Sequence, residues 1–163
     1  MDSLTYHVIY DVRQAMPNAW WLPLIPLAIA LGGFLFYRHA HSFDSSHAGL
    51  FGLAVLFIGS VGTLIAITGT IIPYLDMRHD VSRGHYRVVE GIVCEFVPGD
   101  SGDHRRESWA IQTATGSVGY TYSPAMLDAG YNRTAPHGGR VANGLRVRVF
   151  DVDGRIARLE IAQ

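Results

Sequence analysis

The sequence predicts an α+β membrane protein, a two-helix transmembrane hairpin followed by a small five-stranded β-barrel, OB-like or alternatively SH3-like. Three observations predict it. Two long uncharged apolar stretches lie in the first half of the 163 residues. Runs with a period of two replace them after about residue 84. Clusters of Gly, Asp and Ser separate those runs, as turns separate strands.

Residues 1–19 form a tail. Leu4, Val8, Val12 and Met16 recur in it at about helical spacing, which suits a short interfacial helix, with a frayed tail as the alternative. Residues 20–37, WWLPLIPLAIALGGFLFY, contain no charge, and neither do residues 49–75, GLFGLAVLFIGSVGTLIAITGTIIPYL. A bilayer core of about 30 Å takes roughly 20 apolar helical residues, so each stretch reads as a transmembrane helix. Trp20 and Trp21 border the first at one edge, and Phe34, Phe36 and Tyr37 at the other. Rings at both edges suit a permanent span, and the acidic tail lacks the basic start of a cleavable signal. Pro23, Pro26 and Pro73 fall near helix ends, where proline is tolerated.

Small residues mark one face of the second span, with Gly59, Gly62, Ala66 and Thr70 along it and Gly52 seven residues before Gly59. In lipid, helices associate where small side chains let backbones approach. This face therefore suits either the first span, through Gly32 and Gly33, or self-association with a second copy. Neither span contains an ionisable group, which argues against an ion or proton pathway.

The loop 38–48, RHAHSFDSSHAG with its flanks, contains His39, His41 and His47 as candidate metal ligands. A wet polar turn is the plainer reading of the same residues. Residues 76–85 read as a linker. Arg13 precedes the spans, Arg38 lies between them, and Arg78, Arg83 and Arg87 follow. The excess of arginine on one side predicts an inner (cytoplasmic) bacterial membrane with both termini cytoplasmic. All 13 basic residues are arginine, a composition that fits a GC-rich bacterial genome.

Residues 86–163 carry the strand signals. YRVVEGIVCEFV is long and has Gly91 at its middle, where a bend would let one strand serve two sheet edges. ESWAIQT puts Trp109 and Ile111 on one face, and SVGYTY does so with Val118, Tyr120 and Tyr122. LRVRVFD and RIARLEIA alternate in the same way around DVDG, a strong hairpin turn with Gly154 free to take positive φ. Five such strands make a small barrel. Ser123-Pro124 begins a single helical turn through Leu127. From 84 to 163 nine arginines balance nine acids, so the positive groove of a nucleic-acid binder is not expected. Cys94 sits in an apolar run and reads as a buried, inert thiol.

The sequence offers no nucleophile with a base partner, so no catalytic residue and no cofactor is predicted. Candidate ligand-binding residues are His104, Asn132, His137, Gly138 and Gly139. His104 and His137, with Asp100 and Asp103 nearby, would be the core of a metal-binding or hydrolytic site. The competing reading makes His137-Gly138-Gly139 a turn that feeds the last hairpin.

YRVVEGIV, GDHRRESW, YTYS, GYNRT, HGG, GLRVRV and IARLEI together resemble a recurring C-terminal domain of small uncharacterised bacterial membrane proteins. The resemblance covers roughly residues 86–161, and Asp103 departs from it where glycine is usual. GLRVRVFDVDGRIARLEI is also similar to the end of NfeD-type membrane proteins, which join membrane helices to an OB domain. That second likeness implies a stomatin-type scaffold as a partner. Both point to a membrane-anchored interaction or scaffold module, in contact with lipid and a protein partner.

Overall fold

The computed structural model describes residues 5–42, 46–100, 105–124 and 129–163. The chain forms two compact units, one of Pro17–Pro73 and the other of Met1–Met16 with Tyr74–Gln163.

The Pro17–Pro73 unit holds helix α1 (Leu24–Ser42) and most of helix α2 (Ser46–Arg83). α1 starts four residues later than the apolar stretch. Trp20 to Pro23 form turns, and Pro26 sits in the first helical turn, where its missing N–H is not needed. A Cβ on Gly59 would lie 2.4 Å from the Ala30 nitrogen, and one on Gly33 2.4 Å from that of Leu56. Gly52 meets the backbone of Tyr37, and Gly62 meets Pro26. These contacts run in opposite directions along the two helices, so the pair is an antiparallel hairpin. At Gly59 and Gly62 the small-residue face therefore meets α1 of the same chain, the first of the two expected alternatives. Thr70 is buried, and its hydroxyl bonds to the Ala66 carbonyl. Ser60, Thr63 and Thr68 likewise bond to carbonyls in the preceding turn of α2. Such hydroxyls need no outside partner in apolar surroundings.

The second unit is a six-stranded antiparallel sheet of order β1-β6-β5-β2-β3-β4. Its strands are β1 (Tyr6–Asp11), β2 (Arg87–Val97), β3 (Glu107–Thr113), β4 (Gly116–Tyr122), β5 (Arg146–Val152) and β6 (Arg155–Ala162). The last five are the strands the alternation predicts. β1 is not predicted: the tail is a strand and not an interfacial helix. Its residues YHVIYD are aromatic and β-branched, and β6 offers them an edge, from Tyr6 opposite Ala162 to Asp11 opposite Arg158.

β2 changes partner along its length. Arg87 to Ile92 pair with β5, and Ile92 to Val97 pair with β3. The change falls at Ile92, next to Gly91, where a Cβ would stand 2.1 Å from the Gln112 carbonyl oxygen. Only glycine allows this crossing. Asp153 and Gly154 both take positive φ between paired Val152 and Arg155, the geometry of a two-residue hairpin turn.

The sheet is open, which corrects the expected barrel. Closure would require β4 to meet β6, but β1 occupies the free edge of β6, and the Tyr131 N–H bonds to the Ile156 carbonyl at 2.9 Å. The curled sheet still encloses a core of Val89, Val93, Trp109, Ile111, Tyr120, Tyr122, Val147, Val149 and Leu159.

Residues 76–83 are helical and not a linker. Tyr74, Met77 and Val81, three and four apart, bury one face of α2 against Val12, Ala129, Val152 and Ala157. The Tyr74 hydroxyl donates to the carbonyls of Val12 and Ala15. Gly84, at φ +78°, ends the helix. Its N–H bonds to Val81 and that of His85 to Asp80, a paired C-terminal cap.

Candidate functional site

The loop from Tyr131 to Arg140 lies beside β1 and is organised from beneath by Glu107, whose side chain is 0% exposed. One carboxylate oxygen accepts the Tyr122 hydroxyl at 2.8 Å and the other the Ala135 N–H at 2.7 Å. Trp109 Nε1 donates to the Tyr122 oxygen at 3.0 Å. Burial, then the Glu107 carboxylate, pushes the Tyr122 phenol far above its ordinary pKa. A buried acid that accepts a backbone N–H fixes the start of a single 3-10 turn, Ala135–His137.

That turn answers what His137-Gly138-Gly139 is for. His137 Nδ1 lies 2.8 Å from Thr134 Oγ1, a local bond. Gly138 is left-handed at φ +80°, and its N–H bonds to Ala135. Gly139 N–H bonds to Thr134, and a Cβ at Gly139 would meet the Arg133 oxygen at 2.4 Å. One glycine is required by conformation and the next by space.

Two hollows meet at Tyr131. A small cavity of about 50 Å³ is lined by Tyr120, Tyr122, Tyr131, Asn132 and Ile156, among others. A groove of about 220 Å³ is lined by Val8, Ile9, Tyr131, Arg133, Gly138 and Arg140. Tyr131 is 4% exposed. Burial raises its phenol pKa, and a hydrogen bond from the Arg140 backbone N–H, then the charges of Arg133 and Arg140, work against that rise. Elsewhere an open hollow of about 520 Å³ contains Asp80, His85, Arg87, Asp151 and Asp153. Its buried Asp151 is committed to Tyr120, Arg87 and the Gly154 N–H.

The outer sheet face carries a ladder of charge. Arg13 pairs with Asp11 at 2.7 Å, and Arg158 reaches Asp11 at 3.7 Å and Glu160 at 2.5 Å. Arg148 joins Glu160 at 3.5 Å to Glu90 at 3.0 Å, and the Tyr6 hydroxyl donates to Glu90 at 2.6 Å. The Arg148 guanidinium also lies 4.1 Å from the centre of the Tyr6 ring. Burial acts to raise the Asp11 pKa, but the Arg13 hydrogen bonds and the nearby arginine charges lower it overall. Glu90 is lowered first by the Tyr6 bond and then by Arg148. Val8, Val88 and Ile92 stand exposed around this ladder.

Of the candidate ligand residues, His104 lies outside the described residues, as does Asp103. Asn132 donates to the Pro124 carbonyl and faces the small cavity, whereas Gly138 faces the groove. The structure therefore does not bring Asn132 and Gly138 to one hollow. His41's side chain also lies outside the described residues. Among the described residues no three His, Cys, Asp or Glu side chains converge as a metal site. Sequence reasoning missed Glu107, Arg133 and Arg140, although Arg133 lies within the GYNRT motif and Arg140 directly follows HGG. No family model, curated protein or solved structure matches the chain, so the two resemblances stand on the quoted motifs alone.

Proposed function

We propose that the chain is a membrane-anchored interaction module. Residues 17–73 insert as a two-helix hairpin into the inner membrane of a bacterium, and the sheet docks a protein partner on the cytoplasmic side. α2 is long and apolar enough to cross a bilayer, and α1 is a shorter apolar helix. The apolar side chains of the hairpin face outward, Phe57 at 69% and Ile58 at 66% exposure, a pattern that lipid accommodates and water does not.

The exposed apolar surface of the hairpin carries the anchor, and the pairing of β1 with β6 favours two crossings over one. β1 precedes the apolar unit and β6 follows it, yet they pair in one sheet. Two strands of one sheet lie on one side of a membrane, so the intervening chain crosses it an even number of times. With α2 crossing, α1 crosses too. The outer face of the sheet supports docking, because it mixes exposed Val8, Val88 and Ile92 with paired charges, as protein interfaces do.

The experiment is purification of the full chain in mild detergent, wild type beside Val88→Asp and Ile92→Asp. A reproducible protein partner, a stomatin-type scaffold being the first to look for, is expected with the wild type and lost with the variants. Failure to recover any partner across several detergents, or equal recovery by variants that melt normally, sinks the proposal.

A further inference from the structure

The two helices of the Pro17–Pro73 unit have unequal apolar reach. α2 is a single helix of 38 residues and carries no charge from Gly49 to Leu75. α1 is uncharged only from Leu24 to Tyr37, a rise of about 20 Å against a bilayer core of about 30 Å. A marker of the membrane boundary stands at each end of that short stretch.

Before Leu24 the chain is not helical. Trp20 to Pro23 form turns, with the Trp20 N–H bonded to the Pro17 carbonyl and that of Leu22 to Ala19. Trp20 and Trp21 are 50% and 49% exposed there. Irregular backbone that faces lipid does not occur in the hydrocarbon, and indole rings settle at the headgroup level. The other marker is Arg38. Its guanidinium lies 5.9 Å from the centre of the Phe34 ring, one turn back toward Leu24. Side chains on a helix tilt toward its N-terminus, so this charge points into the span and not out of it. Neither end of α1 can be drawn deeper without cost.

A long helix meets a thin bilayer by tilting, whereas a short one cannot lengthen. Close contacts at Gly33, Gly52 and Gly59 lock α1 and α2 together, so any tilt of α2 is shared by α1 and shortens its reach further. We propose that the lipid-facing surface of the hairpin selects short-chain phospholipid and sits in a bilayer core several ångströms thinner than the common one. The inference rests on the reading of residues 17–73 as a membrane hairpin and adds which lipid that hairpin takes.

The test reconstitutes the full chain in vesicles of brominated phosphatidylcholine, which quenches indoles in the bilayer. Unbrominated phosphatidylcholines from dimyristoleoyl to dierucoyl then compete. Trp109 is buried in the sheet and supplies a constant background, so the competition is read from Trp20 and Trp21. Relief of quenching should be greatest with dimyristoleoyl or dipalmitoleoyl chains, at a relative affinity about threefold or more above that of dierucoyl. In the double variant Arg38→Leu, His39→Leu the apolar stretch of α1 extends to Ala40, and the maximum should move to longer chains. A wild-type maximum at dioleoyl or longer chains overturns the proposal, as does a maximum left in place by a double variant that melts like wild type. Quenching that is present but indifferent to chain length overturns it too, and leaves the anchor standing. No quenching of Trp20 and Trp21 by any brominated lipid removes the membrane hairpin itself, and the proposal with it.

Discussion

Gly138 and Gly139 are adjacent and small, yet they answer to different constraints. Alanine at Gly138 must take positive φ, which costs about 1 kcal/mol. Alanine at Gly139 must push aside the Arg133 carbonyl, an overpacking cost of about 1–3 kcal/mol. Thermal unfolding of the full chain in detergent should show Gly139→Ala as the more damaging change. The turn was legible in the sequence because His-Gly-Gly names it locally. The crowding at Gly139 was not, since it depends on how the chain folds back over Thr134. Glu107 was hidden for a similar reason, as an acid at the start of a strand reads as solvated until Tyr122 and Ala135 are known to meet it. The ladder acids give a pH prediction at this same scale. Asp11 and Glu90 are held below their ordinary values of 3.8 and 4.5. Their contribution is therefore complete above about pH 4.5 and is lost as pH falls below 3.8 through the lowered values. Melting temperatures should fall over that acid window, and Glu90→Gln should flatten part of the fall.

Among the elements, the five strands after residue 84 were readable because each buries alternate residues on one face. The tail was misread because Leu4, Val8, Val12 and Met16 mimic a helical stripe, while the strand exists only through pairing with β6. Propensity in so short a segment yields to a tertiary partner. The same omission explains the barrel: a reader who does not see β1 finds β6 with a free edge and closes it onto β4. Residues 76–83 were misread because Tyr74, Met77 and Val81 lack a visible partner until Ala129, Val152 and Ala157 are placed. Removing residues 5–11 should expose the β6 edge and part of the core, so the truncated chain should aggregate or melt at a lower temperature than wild type. Normal melting of that variant would show that β1 is dispensable.

For the whole molecule, the sheet and the arginine distribution bear on topology by separate routes. In the proposed topology the parity of crossings rests on β1 meeting β6, and the cytoplasmic side rests on Arg13, Arg78, Arg83 and Arg87 against Arg38. Reporters fused before Thr5 and after Gln163 should give the same compartment, and that compartment should be the cytoplasm. Opposite compartments would contradict the paired strands, whereas a shared periplasmic location would contradict only the arginine count. The charge ladder belongs to this scale too. Alternation alone indicated that Arg148, Arg158 and Glu160 face outward, but which acid meets which arginine depends on the register of four strands.

The pairing of β1 with β6 also sets an order of events during synthesis. Tyr6–Asp11 leave the ribosome before the apolar helices, and Arg155–Ala162 leave after the other five strands. Until β6 is made, β1 waits as an unpaired aromatic segment, and its eventual contact joins residues 6–11 to residues 158–162. Contacts of such long sequence separation form slowly, and exposed strand edges invite aggregation in the interval. Nascent chains arrested before Arg155 should accordingly be cut by protease within residues 5–16, and release of the finished chain should close that window.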